Sequence, residues 1–440
     1  MTNRRQFIKQ STLIGLGALS TSSLFAYRGR PNEKITIGIV GANSRGAFLA
    51  QAFAKLPDVE VTYICDVDST VIEKNIATIE KLTGKKPKGI SDVRKLLEAK
   101  DCDCIAIAAP DHWHAPATLM AVQAGKNVYV EKPCSHNPAE GEILVQAAQK
   151  YGRLIQMGNQ RRSFPKIIEA MQALREGAIG RVYFAKGWYA NSRKSIGTGK
   201  VAQPPATLDF DLWQGPAPRR AYKDNLVHYN WHWFWHWGTG EALNNGTHEI
   251  DVMRWGLGAT YPTRVVSGGG RFAFHDDWET PDTQTITFEF PNNTAMSCEG
   301  RSCNGLNSEG SGRGVVFYGE KGSLLTNGGD DFKIFSLDNK LIREGKTDIQ
   351  NAEGTYTVSL GEQLDSLHLV NFLETVRGKT KLTSPISEGH ASTLLPQLGN
   401  IAFRTGRALH CDPANGHILR DKAAMKMWAR EYEKGWEMKV

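Results

Sequence analysis

The chain has 440 residues, of which 22% are charged and 40% hydrophobic, with 53 basic side chains against 46 acidic ones. A formal charge of +7 without any basic block argues against a nucleic-acid partner. Seven scattered cysteines, an odd number, argue against a full disulfide framework, and four of them lie in or beside apolar runs as small core residues.

The first residues read as an address. Asn3-Arg4-Arg5-Gln6-Phe7-Ile8-Lys9 is a twin-arginine pattern, followed by a mildly apolar stretch rich in Gly, Ala and Ser from Ser11 to Ala26. That stretch is too short and too polar to form a stable membrane span. It predicts a signal over residues 1–26 and export of the folded chain to the periplasm or beyond. Without Arg4, Arg5 and Lys9, 50 basic side chains face 46 acidic ones. The remaining body, about 410 residues, suits two domains.

Lys34 to Gly46, KITIGIVGANSRG, organises the first of them. Ile35 to Val40 is a short apolar strand of the buried parallel kind. It runs into Gly41-Ala42-Asn43-Ser44-Arg45-Gly46 and then a helical apolar pattern. Strand, glycine turn and helix bring backbone N–H groups and a helix N-terminus against a pyrophosphate. The pattern is G-x-N-x-x-G, with Asn43 at the middle glycine position. Asn tolerates a left-handed backbone, so the turn is expected to survive. A second strand, Glu60 to Cys65, ends in Asp66, placed to accept the adenosine ribose hydroxyls. Val67 and Asp68 follow instead of an arginine, which favours NAD over NADP.

Helices are expected over Val71 to Leu82 and Ser91 to Lys100, and a strand over Cys104 to Ala109. Pro110-Asp111-His112-Trp113-His114 then precedes a helix from Ala115 closed by Gly125. Strand Asn127 to Val130 ends in Glu131-Lys132-Pro133. Helix Pro138 to Tyr151 and strand Leu154 to Met157 complete an α/β, doubly wound parallel sheet over residues 33–157. The segments after its strands, Gly158 to Arg162 included, must converge, because ligands bind beyond the carboxyl ends.

In the second domain, residues 158–440, Arg181 to Ala190 reads as a strand, ending near Tyr189. Then comes His228-Tyr229-Asn230-Trp231-His232-Trp233-Phe234-Trp235-His236-Trp237. In extended chain the tryptophans share one face and the histidines the other. Sugars stack their CH faces on aromatic rings, so Tyr189, Trp231 and His232 are candidate sugar contacts, with an aromatic core as the alternative. The three histidines also admit a zinc site, though their spacing is unusual and no acidic ligand accompanies them; no metal is expected. Helices are expected from Gly246, over Leu364 to Val376, from Ile386, and over Lys422 to Trp436. Alternating segments such as Thr283 to Phe290 and Val315 to Tyr318 suggest an antiparallel sheet.

The glycine turn, Asp66, Pro110 to His114, Glu131-Lys132-Pro133 and Asn244-Asn245-Gly246-Thr247-His248-Glu249-Ile250-Asp251 together resemble the glucose–fructose oxidoreductase/inositol dehydrogenase (Gfo/Idh/MocA) superfamily. The resemblance implies a Rossmann domain followed by an α/β domain with a large, mostly antiparallel sheet that often forms a homo-oligomer interface. It implies hydride transfer between a tightly held nicotinamide and a sugar or cyclitol. Lys132 and His248 would be catalytic. Gly41, Asn43, Ser44, Arg45, Gly46, Asp66, Pro110, His114, Glu131, Lys132 and Asn159 would hold the cofactor. Asn244 and His248 would face the substrate. The superfamily usually carries an aspartate where Asn244 stands, and an amide relays no proton at neutral pH. A related chemistry, a glycosidase that oxidises, eliminates and re-reduces with one bound NAD, is the alternative activity.

Overall fold

The computed structural model describes residues 34–347 and 360–440, so the leader lies outside the described residues. The first half follows the expected rhythm. β1 (Ile35–Val40), α1 (Arg45–Ala54), β2 (Val59–Cys65), α2 (Ser69–Thr83), β3 (Lys88–Ile90), α3 (Val93–Leu97), β4 (Cys104–Ile107), α4 (Asp111–Gln123), β5 (Asn127–Val130), α5 (Pro138–Tyr151) and β6 (Ile155–Met157) succeed one another. The strands pair in the order β3-β2-β1-β4-β5-β6, all parallel. Order reverses between β1 and β4, and the crevice there is where doubly wound sheets bind ligands. β3 was not foreseen: its three residues, Lys-Gly-Ile, carry no apolar pattern. Helix α4 starts at Asp111, four residues before the expected Ala115, so the Pro110–His114 motif is its first turn.

The second half builds one nine-stranded sheet. α6 (Pro165–Arg175), β7 (Val182–Ala190), α7 (Phe210–Gln214), α8 (Glu241–Asn244), α9 (Gly246–Leu257), β8 (Arg264–Gly270), β9 (Thr283–Phe290) and β10 (Thr294–Arg301) come first. β11 (Arg313–Gly319), β12 (Gly322–Thr326), β13 (Asp331–Ser336), β14 (Leu341–Lys346), α10 (Leu360–Val376), α11 (Ile386–Thr405), β15 (Leu409–His410) and α12 (Lys422–Met425) follow. Strand order is β14-β13-β12-β11-β7-β10-β9-β8-β15, antiparallel except for β7 with β10. Along β9, Gln284, Ile286, Phe288 and Phe290 are buried while the threonines between them are not, the alternation of a sheet covered on one face. Helices α9 and α11 pack on that face.

The two halves share cores. Leu369, Phe372, Leu373 and Val376 of α10 pack against the parallel sheet with Phe53 and Tyr129. Trp436 stands edge-on to Trp113, centroids 5.1 Å apart. The helix expected over Lys422 to Trp436 is one turn, Lys422–Met425, and the rest is irregular. Its apolar residues are spent on separate anchors, Trp428 in the second core and Trp436 in the first.

Candidate active site

A cleft of about 480 Å³ opens beyond the carboxyl ends of the parallel strands. Gly41, with φ +75°, follows β1; a Cβ there would lie 2.5 Å from the Ala109 nitrogen. A Cβ on Gly46 would lie 1.7 Å from the Gly41 carbonyl oxygen. Both glycines are therefore steric requirements of the turn, although Gly46 itself does not line the cleft. The expectation for Asn43 needs correction. The left-handed non-glycine residue is Ser44, with φ 44°, and Asn43 instead accepts the Ser44 N–H on its Oδ1 at 2.9 Å. No side chain caps the N-terminus of α1. A tight turn and an uncapped helix N-terminus form a cradle that fits a dinucleotide pyrophosphate.

Asp66 closes the turn from the side. Its Oδ2 accepts the Ala42 N–H at 2.7 Å and its Oδ1 the Asp68 N–H at 3.0 Å. Asp66 lines the cleft, and each of its oxygens has a further lone pair to which a ribose hydroxyl could donate. Arg45 spans the cleft, with Nε 2.7 Å from Glu131 Oε1 and Nη1 2.6 Å from Asp365 Oδ2 on α10. Burial opposes ionisation of Glu131, but Arg45 and Lys132 outweigh it and hold the carboxyl below the usual range. A Cβ on Gly158 would sit 2.9 Å from Glu131 Oε2, so that glycine makes room for the carboxylate.

Lys132 follows Glu131 and precedes Pro133 across a cis peptide bond. Its Nζ donates to the Asn244 main-chain carbonyl at 2.5 Å and lies 3.4 Å from Asn244 Oδ1. Burial pushes its pKa down, against the pull of Glu131 and Asp111. His248, in the first turn of α9, also lines the cleft. Burial and the Lys132, Arg313, Arg161 and Arg45 charges push its imidazole well below the usual value. His248 is therefore neutral and offers a lone pair. His114 Nδ1 donates to the Pro133 carbonyl at 2.6 Å, and its Nε2 is buried and unpartnered.

The cleft gathers Gly41, Asn43, Ser44, Arg45, Asp66, Pro110, His114, Glu131, Lys132, Trp231, His232, Asn244 and His248. Asn159 and Tyr189 stand off it. Asn159 is 2% exposed, with both amide atoms buried and unpartnered, one residue beyond Gly158. The Tyr189 hydroxyl accepts from Asn191 Nδ2 at 2.8 Å, and its ring lies under the Arg313 guanidinium at 5.2 Å. Arg313 lines the cleft, but Tyr189 itself lines a smaller pocket beside Glu241 and Cys298.

The expected separation of tryptophan and histidine faces does not occur. Asn230–Trp233 is a 3₁₀ turn, and Trp237 N–H and Gly238 N–H both return to the Phe234 carbonyl. A curled backbone has no two-residue period. Trp231 stacks on His232 with centroids 3.6 Å apart and lines the cleft. Trp233 stacks on Trp278 at 4.0 Å, and Trp237 meets Trp213 at 5.6 Å. The three histidines diverge: His228 pairs with Asp68, His232 Nδ1 donates to the Tyr229 carbonyl, and His236 Nε2 to the Pro218 carbonyl.

Several lining residues escaped the sequence reading. Asp111, 3% exposed, accepts the Thr239 hydroxyl at 2.5 Å and attracts Lys132. Its place in Pro110–His114 could have flagged it. Arg161 and Arg313 share the buried Glu249, at 2.9 and 3.0 Å. Burial, only partly offset by Glu249, lowers the Arg161 guanidinium to about 10. Arg313 and Asp365 lie far along the chain in segments without a motif.

Comparison with known proteins agrees with this architecture. Residues 35–159 match the Gfo/Idh/MocA oxidoreductase family, NAD-binding Rossmann fold, and residues 205–407 match its C-terminal alpha/beta domain. A glycosyl hydrolase family 109 protein of Saccharopolyspora erythraea is 28% identical over 216 residues, 44% of this chain and 47% of that protein. The chain thus matches about half the length of such relatives. Levoglucosan dehydrogenase, in complex with NADH and levoglucosan, superposes with TM-score 0.66 at 17% identity over 86% of this chain and 99% of that one. The WlbA dehydrogenase of Bordetella pertussis, in complex with NADH and UDP-GlcNAcA, superposes with TM-score 0.63 at 19% identity over the same shares. With both of its domains matched, the chain belongs to the Gfo/Idh/MocA oxidoreductase family, whose N-terminal domain is an NAD-binding Rossmann fold.

Proposed function

We propose that this protein oxidises a sugar or cyclitol hydroxyl to a carbonyl, or runs the reverse reaction, with a tightly held NAD. The observation that carries this reading is the meeting of Lys132, Asn244 and His248 in the cleft that Gly41 and Asp66 also line. When bound, the nicotinamide supplies the hydride acceptor or donor. The residues supply the proton chemistry. Lys132, with its pKa lowered by burial, takes the hydroxyl proton on Nζ as the carbon loses hydride. The Asn244 carbonyl fixes that nitrogen in place. Neutral His248 accepts a hydrogen bond from a substrate hydroxyl, and Trp231 offers an apolar face. Asp111 steadies positive charge on Lys132 when the proton arrives.

The family 109 relatives favour a second reading, a glycosidase that oxidises, eliminates the aglycone and re-reduces the ring. Free sugars and aryl glycosides discriminate the two. Net NADH formation from a free sugar supports the dehydrogenase; aglycone release without net redox supports the glycosidase; neither with any sugar tested overturns both.

The Arg4-Arg5 pattern supports a periplasmic or extracellular location. Arg4→Lys with Arg5→Lys should retain the protein in the cytoplasm, and unchanged export would refute the leader. Exposed Tyr183 and Val266 on β7 and β8 support a homo-oligomer through the second sheet, which light scattering would detect. Among the described residues no helix is long and apolar enough to cross a membrane.

A further inference from the structure

A second cavity, of about 260 Å³, lies between the N-terminus of α5, the Trp235 turn, α11 and the segment after α12. Arg404, Lys426 and Arg430 line it, and no Asp or Glu does. Among the described residues neither Arg404 nor Lys426 forms an ion pair; Arg404 lies 4.9 Å over the Trp235 ring. Arg430 spends Nε on Glu140 at 2.7 Å and Nη2 on the His112 carbonyl at 2.6 Å, but its Nη1 is buried without a partner.

The uncharged groups are in the same condition. Asn137, 5% exposed, caps α5 through Oδ1, which accepts the Glu140 N–H at 3.2 Å, while its Nδ2 is buried and unpartnered. Gln397, 4% exposed, donates through Nε2 to Ser135 and leaves Oε1 unpartnered. The His136 ring also lines the space, beside the Trp235 backbone. Buried polar atoms normally find partners, and so many left open around one positively charged space mark a missing one. Donors predominate: Arg430 Nη1, Asn137 Nδ2 and the Arg404 and Lys426 cations. The α5 N-terminus adds its positive end.

We propose that this cavity is a second ligand site, separate from the nucleotide cleft, that binds a small phosphate- or carboxylate-bearing anion. The proposal does not rest on the reaction assigned above. The ligand's oxygens would accept from Arg430, Asn137, Arg404 and Lys426, and a protonated ligand oxygen would donate to Gln397 Oε1. Thr239 is the wall between the two cavities: it lines this one, its carbonyl accepts Asn400 Nδ2 at 2.8 Å, and its hydroxyl reaches Asp111 in the cleft.

The test is calorimetric titration of the full chain, saturated with NAD, with inorganic phosphate and separately with citrate at low ionic strength. One saturable site per chain is expected for phosphate, for citrate or for both, and the responding probe names the source chemistry. Arg404→Gln with Lys426→Gln should weaken binding about 10- to 100-fold, the loss expected for a charge-assisted hydrogen bond. Asn137→Asp keeps the helix cap, turns a donor into a repelling carboxylate and should abolish binding. A crystal soaked in the responding anion should show it within hydrogen-bond distance of Arg430 Nη1. No saturable binding of either probe, affinity unchanged in both variants, or water alone in the cavity of the soaked crystal would overturn the proposal.

Discussion

The two walls of the cleft are made in different ways. The wall proposed to hold the cofactor comes from turns that each follow a parallel strand: the Gly41–Gly46 turn after β1, Asp66 after β2, Pro110 after β4 and Glu131-Lys132 after β5. The wall proposed to face the substrate comes from scattered pieces: Tyr229, Trp231, His232, Asn244, His248, Arg313 and Gly328. On the first wall the backbone does most of the work, so residue order predicts position. On the second, side chains from distant segments meet only after two domains have packed. A local motif is informative where the fold places strand ends automatically, and much less so where packing chooses which face a residue presents.

The largest expected effect tests where the walls meet. Lys132→Ala should lower turnover about 10²–10⁴-fold while NAD stays bound, as removal of a general base does. Steady-state rates and nucleotide released on denaturation check it; full activity would move the chemistry to the substrate wall. Trp233→Ala tests the reading of the tryptophan run as core. Trp233 is 1% exposed and stacks on Trp278, so truncation should cost about 3–5 kcal/mol in a urea melt. A stable variant with impaired substrate binding would make it a sugar contact instead.

Asp66→Ala addresses the cofactor wall and should weaken NAD binding by about 1–3 kcal/mol, one or two hydrogen bonds. Recovery of NADP as the sole bound nucleotide would contradict the choice of cofactor. The smallest effect concerns Asn244. Its main-chain carbonyl, not its amide, makes the close contact with Lys132, so Asn244→Ala should keep most activity. Asn244→Asp adds a carboxylate beside the ammonium and raises its pKa. Lys132 must be neutral to accept a proton, and burial holds its pKa below the ordinary lysine value. The rising limb of the pH–rate profile should therefore lie below that value in the native protein and move to higher pH in Asn244→Asp. An unmoved limb would show that Lys132 is not the titrating base.

The tryptophan run shows why local reading stops short. Its strict alternation suggested two faces, yet short-range hydrogen bonds curl the chain and send each ring elsewhere: Trp231 to the cleft, Trp233 to Trp278, Trp235 to Arg404 and Trp237 to Trp213. Tyr189 illustrates the same limit. Its strand was legible, but the register of β7 against β11, with Tyr189 opposite Arg313, sets its surroundings. The Ser44 backbone shows a smaller version, since which residue of a tight turn takes positive φ depends on how α1 meets β1.

From the residues alone came the alternating strands and helices, the glycine turn, Asp66, the Glu131-Lys132-Pro133 and Gly246–Asp251 motifs and the family they resemble. These are encoded locally, in apolar runs, turn residues and short motifs whose position follows from chain direction. Only the tertiary structure set Asp365 of α10 against Arg45, Asp111 behind Lys132 and the Asn244 carbonyl on Nζ. Only it revealed a second, donor-lined cavity between segments as far apart as His136 and Arg430. Those contacts join residues tens to hundreds of positions apart. Their selection depends on the summed packing of several elements, a quantity no short stretch of sequence carries.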